Sequence, residues 1–240
     1  MDYFRNIVVV TALAGVLAGL GMTVAQQLTT VPLVLKAEVY EEQAASAPAH
    51  DRGDAVRAPA HSHDHGAEGE EGWSPADGFE RTFFTLLANI VTGVGFALLL
   101  IAASELFGGI RDWRQGVFWG LAGFAVFTLA PGLGLPPELP AMPAAELGAR
   151  QLWWVATVLS AAIALGLLFY GRSVIAVLAA IALLVVPHLI GAPQTASYET
   201  PIPEGLHHSF VVAVVLTTLL FWVLLGGLAG LFRGRFVHAS

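Results

Sequence analysis

Cysteine is absent from this chain. Neither a disulfide framework nor a thiolate metal site is open to it, so any metal chemistry falls to His, carboxylate, Met or backbone oxygen. Charge is scarce as well. Only 12% of residues are Asp, Glu, Lys or Arg, about half the roughly 25% of a soluble domain, so most side chains do not meet water. Also missing are a Gly-rich phosphate loop ending in Lys-Ser or Lys-Thr, a Ser/His/Asp elbow and a His-Glu-x-x-His helix. Without them the sequence gives no support for ATP hydrolysis by that route or for enzymatic catalysis, and the chain reads as a non-enzyme with no firm cofactor.

What is present is apolar. Of 240 residues, 56% are hydrophobic, and the mean hydropathy is +0.70. The formal net charge of -7 is unevenly spread: between Lys36 and Arg81 eleven Asp or Glu face four Lys or Arg, and elsewhere the signs balance. The acidity belongs to one loop and does not point to nucleic acid.

A hydrocarbon core of about 30 Å needs roughly 20 apolar residues in a helix. Six stretches qualify or come close: Asn6–Leu28, Thr82–Leu106, Gly116–Leu133, Leu152–Tyr170, Ser173–Ile190 and Ser209–Phe232. The expected fold is therefore an all-α integral membrane protein, a bundle of about six transmembrane helices. It falls into a first transmembrane helix (1–35), an acidic His-rich outer loop (36–81) and a five-helix bundle (82–240). The fourth and fifth spans, joined by Gly171 and Arg172 alone, must form a tight hairpin; the third is the shortest and is closed by Pro131.

Positive charge in short loops sets orientation. With the N-terminus inside, the inner face carries Arg5, Arg111, Arg114, Arg172, Arg233 and Arg235, and the short outer loops carry only Arg150. Both termini are thus expected in the cytoplasm of a multi-pass protein of the bacterial inner membrane. One alternative concerns the first span: Arg5, an apolar run and Thr23-Val24-Ala25 also resemble a secretory signal with its cleavage site. Cleavage would leave five helices and the same loops outside. Gly15 and Gly19, Gly116 and Gly120, and Gly226 and Gly230 have small-xxx-small spacing. That spacing serves close helix packing, within one bundle or in a homo-oligomer.

Seven of the eight histidines fall at the outer face. His61, His63 and His65 alternate in a Pro- and Gly-flanked segment of low hydrophobicity, whose composition predicts disorder. Neutral imidazoles suit Co, Ni, Cu and Zn, and Asp64, Glu68, Glu70 and Glu71 would concentrate divalent cations nearby. The tract reads as a weak, unselective metal collector, against the alternative of a merely solvated loop. A second group is His188, ending the fifth span, with His207 and His208 opening the sixth and Glu199 and Glu204 on or beside the connection. If the two helices are neighbours, these imidazoles converge at the membrane boundary, where ionisable groups tend to mark ion pathways. The alternative is that each histidine caps a helix or anchors at the headgroups. Within the spans Thr11, Gln26, Gln27, Asn89, Thr128 and Thr217 are among the polar groups a cation path would have to use, though many such groups serve structure alone.

Longer strings carry a family resemblance. The run from Trp73-Ser74-Pro75-Ala76-Asp77-Gly78-Phe79-Glu80-Arg81-Thr82 into Leu86-Leu87-Ala88-Asn89 resembles the CbtA family of predicted cobalt transporter subunits. So do the stretch from Pro131 to Pro140, Ala149-Arg150-Gln151-Leu152-Trp153-Trp154, and Pro187-His188-Leu189-Ile190-Gly191-Ala192-Pro193. The resemblance implies cobalt uptake linked to cobalamin biosynthesis, with a small single-span, His-rich subunit as partner. The family is usually described with five spans, so a count of six departs from it at the first or third segment. No ligand set comes with the resemblance. The candidates His188, His207, His208, Glu204, Glu199, His61, His63 and His65 rest on position and chemistry. The expected cargo is Co²⁺ or Ni²⁺, which imidazole cannot tell apart. Against an uptake subunit stand a non-transporting metal-sensing or assembly subunit and, more remotely, a haem protein with facing histidine pairs.

Overall fold

The structure, a computed structural model, describes residues 2–46, 75–76 and 78–236. Its elements are α1 (Asp2–Leu28), α2 (Thr30–Ser46), α3 (Phe79–Glu105), α4 (Trp113–Phe124) running through a π-helical turn (Ala125–Leu129) into α5 (Ala130–Gly132), α6 (Leu147–Tyr170), α7 (Val174–Ile190) and α8 (Glu204–Phe236). Among the described residues there is no strand. Four helices are long and apolar enough to cross a membrane: Tyr3–Leu28, Phe79–Glu105, Leu147–Tyr170 and Glu204–Phe236. The chain is an all-α, multi-pass membrane protein.

The two remaining expected spans are not among these four. At about 1.5 Å per residue, the 17 residues of α7 reach less than the roughly 30 Å of hydrocarbon. The third expected span, Gly116–Leu133, is helical over Trp113–Gly132 and passes through Pro131. A proline ring clashes with the carbonyl four residues back and brings no N–H. The π-helical turn immediately upstream widens the backbone there, and the Ala130 N–H reaches back to the Ala125 carbonyl.

The loop expected over 36–81 is shorter at its start. After a break at Thr29, α2 carries the chain on as helix to Ser46. Pro32 explains the break, because it cannot bond to the carbonyl of Leu28 yet fits the first turn of a new helix. Glu38 on α2 pairs through both oxygens with Arg81 on α3 (3.3 Å to Nη1). The expected disordered histidine tract lies outside the described residues.

Packing is built on backbone contact. α1 lies between α3 and α8, with Val10, Thr11, Ala14 and Ala18 buried. A Cβ on Gly15 would stand 2.5 Å from Val94 N, and one on Gly93 would stand 2.4 Å from Gly15 O. α4 meets α8 in the same way: a Cβ on Gly226 would stand 2.2 Å from Gly116 O and 2.8 Å from Gly120 N. All three small-xxx-small pairs therefore serve contact within the bundle. Phe96, Phe127 and Trp222 form an aromatic layer at mid-height, with ring centroids 4.9–5.6 Å apart. α6 and α7 form the expected hairpin; Ser173 accepts from the Ala176 N–H to start α7. Glu146 starts α6 by accepting from the Gly148 and Ala149 N–H groups, which hold its carboxyl below the usual range.

The ends of the described chain share one end of the bundle. Asn6 Nδ2 donates to the Phe236 carbonyl at 2.8 Å. Beside them Arg233, only 7% exposed, donates to Glu105 (2.9 Å from Nε) and to the Ile110 carbonyl, while Tyr3 donates to the same carboxylate at 2.8 Å. Glu105, at the end of α3, is the counter-ion of a buried arginine. Gly109 has φ +72°, and a Cβ there would lie 2.2 Å from an Arg233 nitrogen, so glycine is what lets the loop close over the guanidinium.

Candidate functional site

At the opposite end lie the connections 133–146 and 191–203 and the start of α8. His207, on the first turns of α8, is half-buried, and its Nε2 lies 3.2 Å from the Pro137 carbonyl oxygen. A carbonyl can only accept, so Nε2 carries the hydrogen and the Nδ1 lone pair remains available. This is the arrangement by which metal-ligating imidazoles are usually oriented. His188, in the last turn of α7, sets its ring edge-on to Trp153, 5.8 Å between centroids. Trp153 is itself fixed by donating Nε1–H to the Pro187 carbonyl at 3.2 Å and by seating its ring on Gly134. His208, Glu204 and Glu199 are exposed.

The expectation that α7 and α8 are neighbours is not met. α7 packs on α6, and α8 packs on α4 and α1. His207 reaches the Pro137 carbonyl, whereas His188 lies against Trp153, whose ring seats on Gly134. Among the described residues no three His, Asp or Glu side chains gather where one ion could be held. His61, His63 and His65 lie outside the described residues.

What the fold does gather is a polar seam at the same end of the α1–α3 interface. Asn89 Nδ2 donates to Thr23 Oγ1 (2.9 Å) and to Gln26 Oε1 (2.6 Å), and Gln27 Nε2 donates to Thr82 Oγ1 (3.3 Å). Thr29 and Thr217 link the kink after α1 to α8 at 3.0 Å. These groups are neutral, and their oxygens are of the kind that hard or borderline cations take. The sequence offered Gln26, Gln27, Asn89 and Thr217 only as scattered polar residues and did not single out Thr23, Thr29 or Thr82 for the seam, because their grouping depends on the antiparallel register of α1 on α3. No sequence signal marked the Pro137 carbonyl or Trp153 as parts of the histidine region.

The model of one protein family, described as probable cobalt transporter subunit (CbtA), matches residues 4–234. The chain belongs to the CbtA family. Within this CbtA protein the match spans every described helix, α1 and α8 included. No curated protein and no solved structure matches the chain. Membership places it among probable cobalt transporter subunits and points away from an enzyme.

Proposed function

We propose that this CbtA protein is the membrane subunit of an uptake system that admits Co²⁺ from the outer face and supplies cobalamin biosynthesis. It spans the inner membrane six times, with both termini in the cytoplasm and a small single-span His-rich subunit as partner. The observation that carries the reading is the family match over 4–234; the chemistry of the end opposite the termini supports its direction. His207, with one ring nitrogen held on Pro137, leaves the other for a metal, and His188 lies on the same side of the bundle. An ion arriving from His61, His63 and His65 would pass to His207, with His188, His208, Glu204 and Glu199 as further donors. It would then meet the oxygens of Gln26, Asn89 and Thr23 within the seam. An ion that is passed on wants weak, successive contacts rather than a closed cage.

The test is cobalt accumulation in cells lacking other cobalt importers, with and without this gene and its small partner. Replacing His188, His207 and His208 together should abolish accumulation, whereas deleting 61–65 should only raise the external cobalt needed. Unchanged uptake by the triple variant would remove the site assignment. Purified protein that passes no metal in liposomes, with or without the small subunit, would favour the sensing or assembly role.

A further inference from the structure

The geometry points to a binding site for an anionic phospholipid on the flank of the bundle, its acyl chain lying in a cleft between α3, α4 and α6 and its headgroup held by Arg111, Arg114 and Arg172. The cleft has a volume of about 520 Å³, within the roughly 300–1,000 Å³ of ligand pockets. It lies on the side of the Phe96–Phe127–Trp222 layer nearer the chain termini, which is the cytoplasmic leaflet in the orientation proposed above. α6 has no close backbone seam with α3 or α4 of the kind that joins α4 to α8, so the helices stand apart there. α6 packs instead on the π-helical turn and α5, and at the basic-loop end Phe107 after α3 stacks on Tyr170 of α6 at 4.1 Å and 12°.

The lining is aliphatic and aromatic, with Gln115 its one amide. Gln115 Oε1 accepts the Arg111 N–H at 2.8 Å, tying the cleft mouth to the basic loop. Arg114 is the residue before Gln115, and Arg172 is two residues past Tyr170. All three guanidiniums are exposed, and none makes an ion pair among the described residues. Of the acids described there, Asp112 caps α4 by accepting from Gln115 N and Glu105 holds Arg233, while Arg114 lies over the Trp113 ring at 5.5 Å. An apolar slot ending in uncompensated positive charge at the cytoplasmic surface matches a lipid with a negative headgroup.

An acyl chain can lie along the apolar cleft while a negative headgroup meets the charge at its mouth. Positive charge on inner loops is also what orientation alone requires, so the experiment separates that effect from lipid binding.

The full chain, purified in detergent, is titrated with phosphatidylglycerol and with phosphatidylcholine, and retained lipid is read by native mass spectrometry. Phosphatidylglycerol should bind on the order of a hundredfold more tightly, given the usual contribution of three basic residues at a surface. Arg111→Gln, Arg114→Gln and Arg172→Gln together should erase that preference. Gly166 lines the cleft, and a Cβ there meets nothing within 4 Å, so Gly166→Leu should fill the slot without strain and lower retention of both lipids. Should that variant misfold, Ala162→Leu, on the exposed side of the same wall, serves the same purpose. A preference that survives the triple substitution, or retention unchanged by filling the slot, overturns the proposal. So does cross-linking from position 166 to a protein, this chain or another, in place of lipid. None of these readouts depends on metal transport.

Discussion

At the scale of single residues, Arg233 is the side chain on which most depends at the terminal end. It is buried against the Ile110 carbonyl and Glu105, and Tyr3 shares the carboxylate. Removing one partner of a buried pair costs about 3–5 kcal/mol because the other charge is left without compensation. Here the low end applies, since the Glu105 side chain keeps 29% of its surface exposed. Arg233→Gln should therefore destabilise by about 3 kcal/mol, read as a lower unfolding temperature in detergent, and Glu105→Gln should cost more than that, because it strands the more buried arginine. The reverse order would mean that the pair is solvated. Residue types and their places along the spans were legible in the sequence; partners were not. Arg233 and Glu105 are 128 positions apart, and nothing local to either one announces the other. The same holds for His207 and the Pro137 carbonyl, a contact made by a backbone atom of unremarkable sequence.

At the scale of elements, the glycine pairs were readable and their partners only partly so. Spacing alone said that backbones would approach; which helices meet required the fold. Gly226 is the sharpest case. Its Cβ would stand 2.2 Å from one backbone atom and 2.8 Å from another, neither of which can rotate away as a side chain can. Gly226→Leu should cost about 3 kcal/mol or more, at or above the usual range for overpacking, and leave little monodisperse protein on size exclusion. Gly95→Ala, where a Cβ meets nothing within 4 Å, should behave as the parent. Four expected spans coincide with helices long enough to cross, because hydropathy over about 20 residues is a strong signal. The start of the outer loop was misread, since 36–46 is polar in composition yet remains helical. Hydropathy reports what a segment avoids, not whether its backbone stays coiled. The convergence of His188 with His207 and His208 rested on sequence-adjacent helices being neighbours, and α7 instead keeps to α6.

At the scale of the whole molecule, the proposed uptake has an electrical signature. A potential of 100 mV is worth about 2.3 kcal/mol per elementary charge, hence about 4.6 for a divalent ion moving inward, or more than a thousandfold in concentration. In proteoliposomes holding this chain and its small partner, cobalt entry should rise steeply when a potassium gradient with valinomycin makes the lumen negative, and fall away when the potential is collapsed. Entry indifferent to potential would mean that another step, supplied by a partner, drives transport.

The position of α1 has a consequence for how the protein is made. Its small-residue face closes on α3 and α8 together, yet α1 leaves the ribosome first and α8 last. At about 5–20 residues per second, the roughly 175 residues between them take on the order of 10–35 s to synthesise. Throughout that interval the side of α1 meant for α8 faces lipid or an insertion chaperone. Any stop codon ahead of α8 would leave that side permanently uncovered, a natural mark for membrane proteases to recognise.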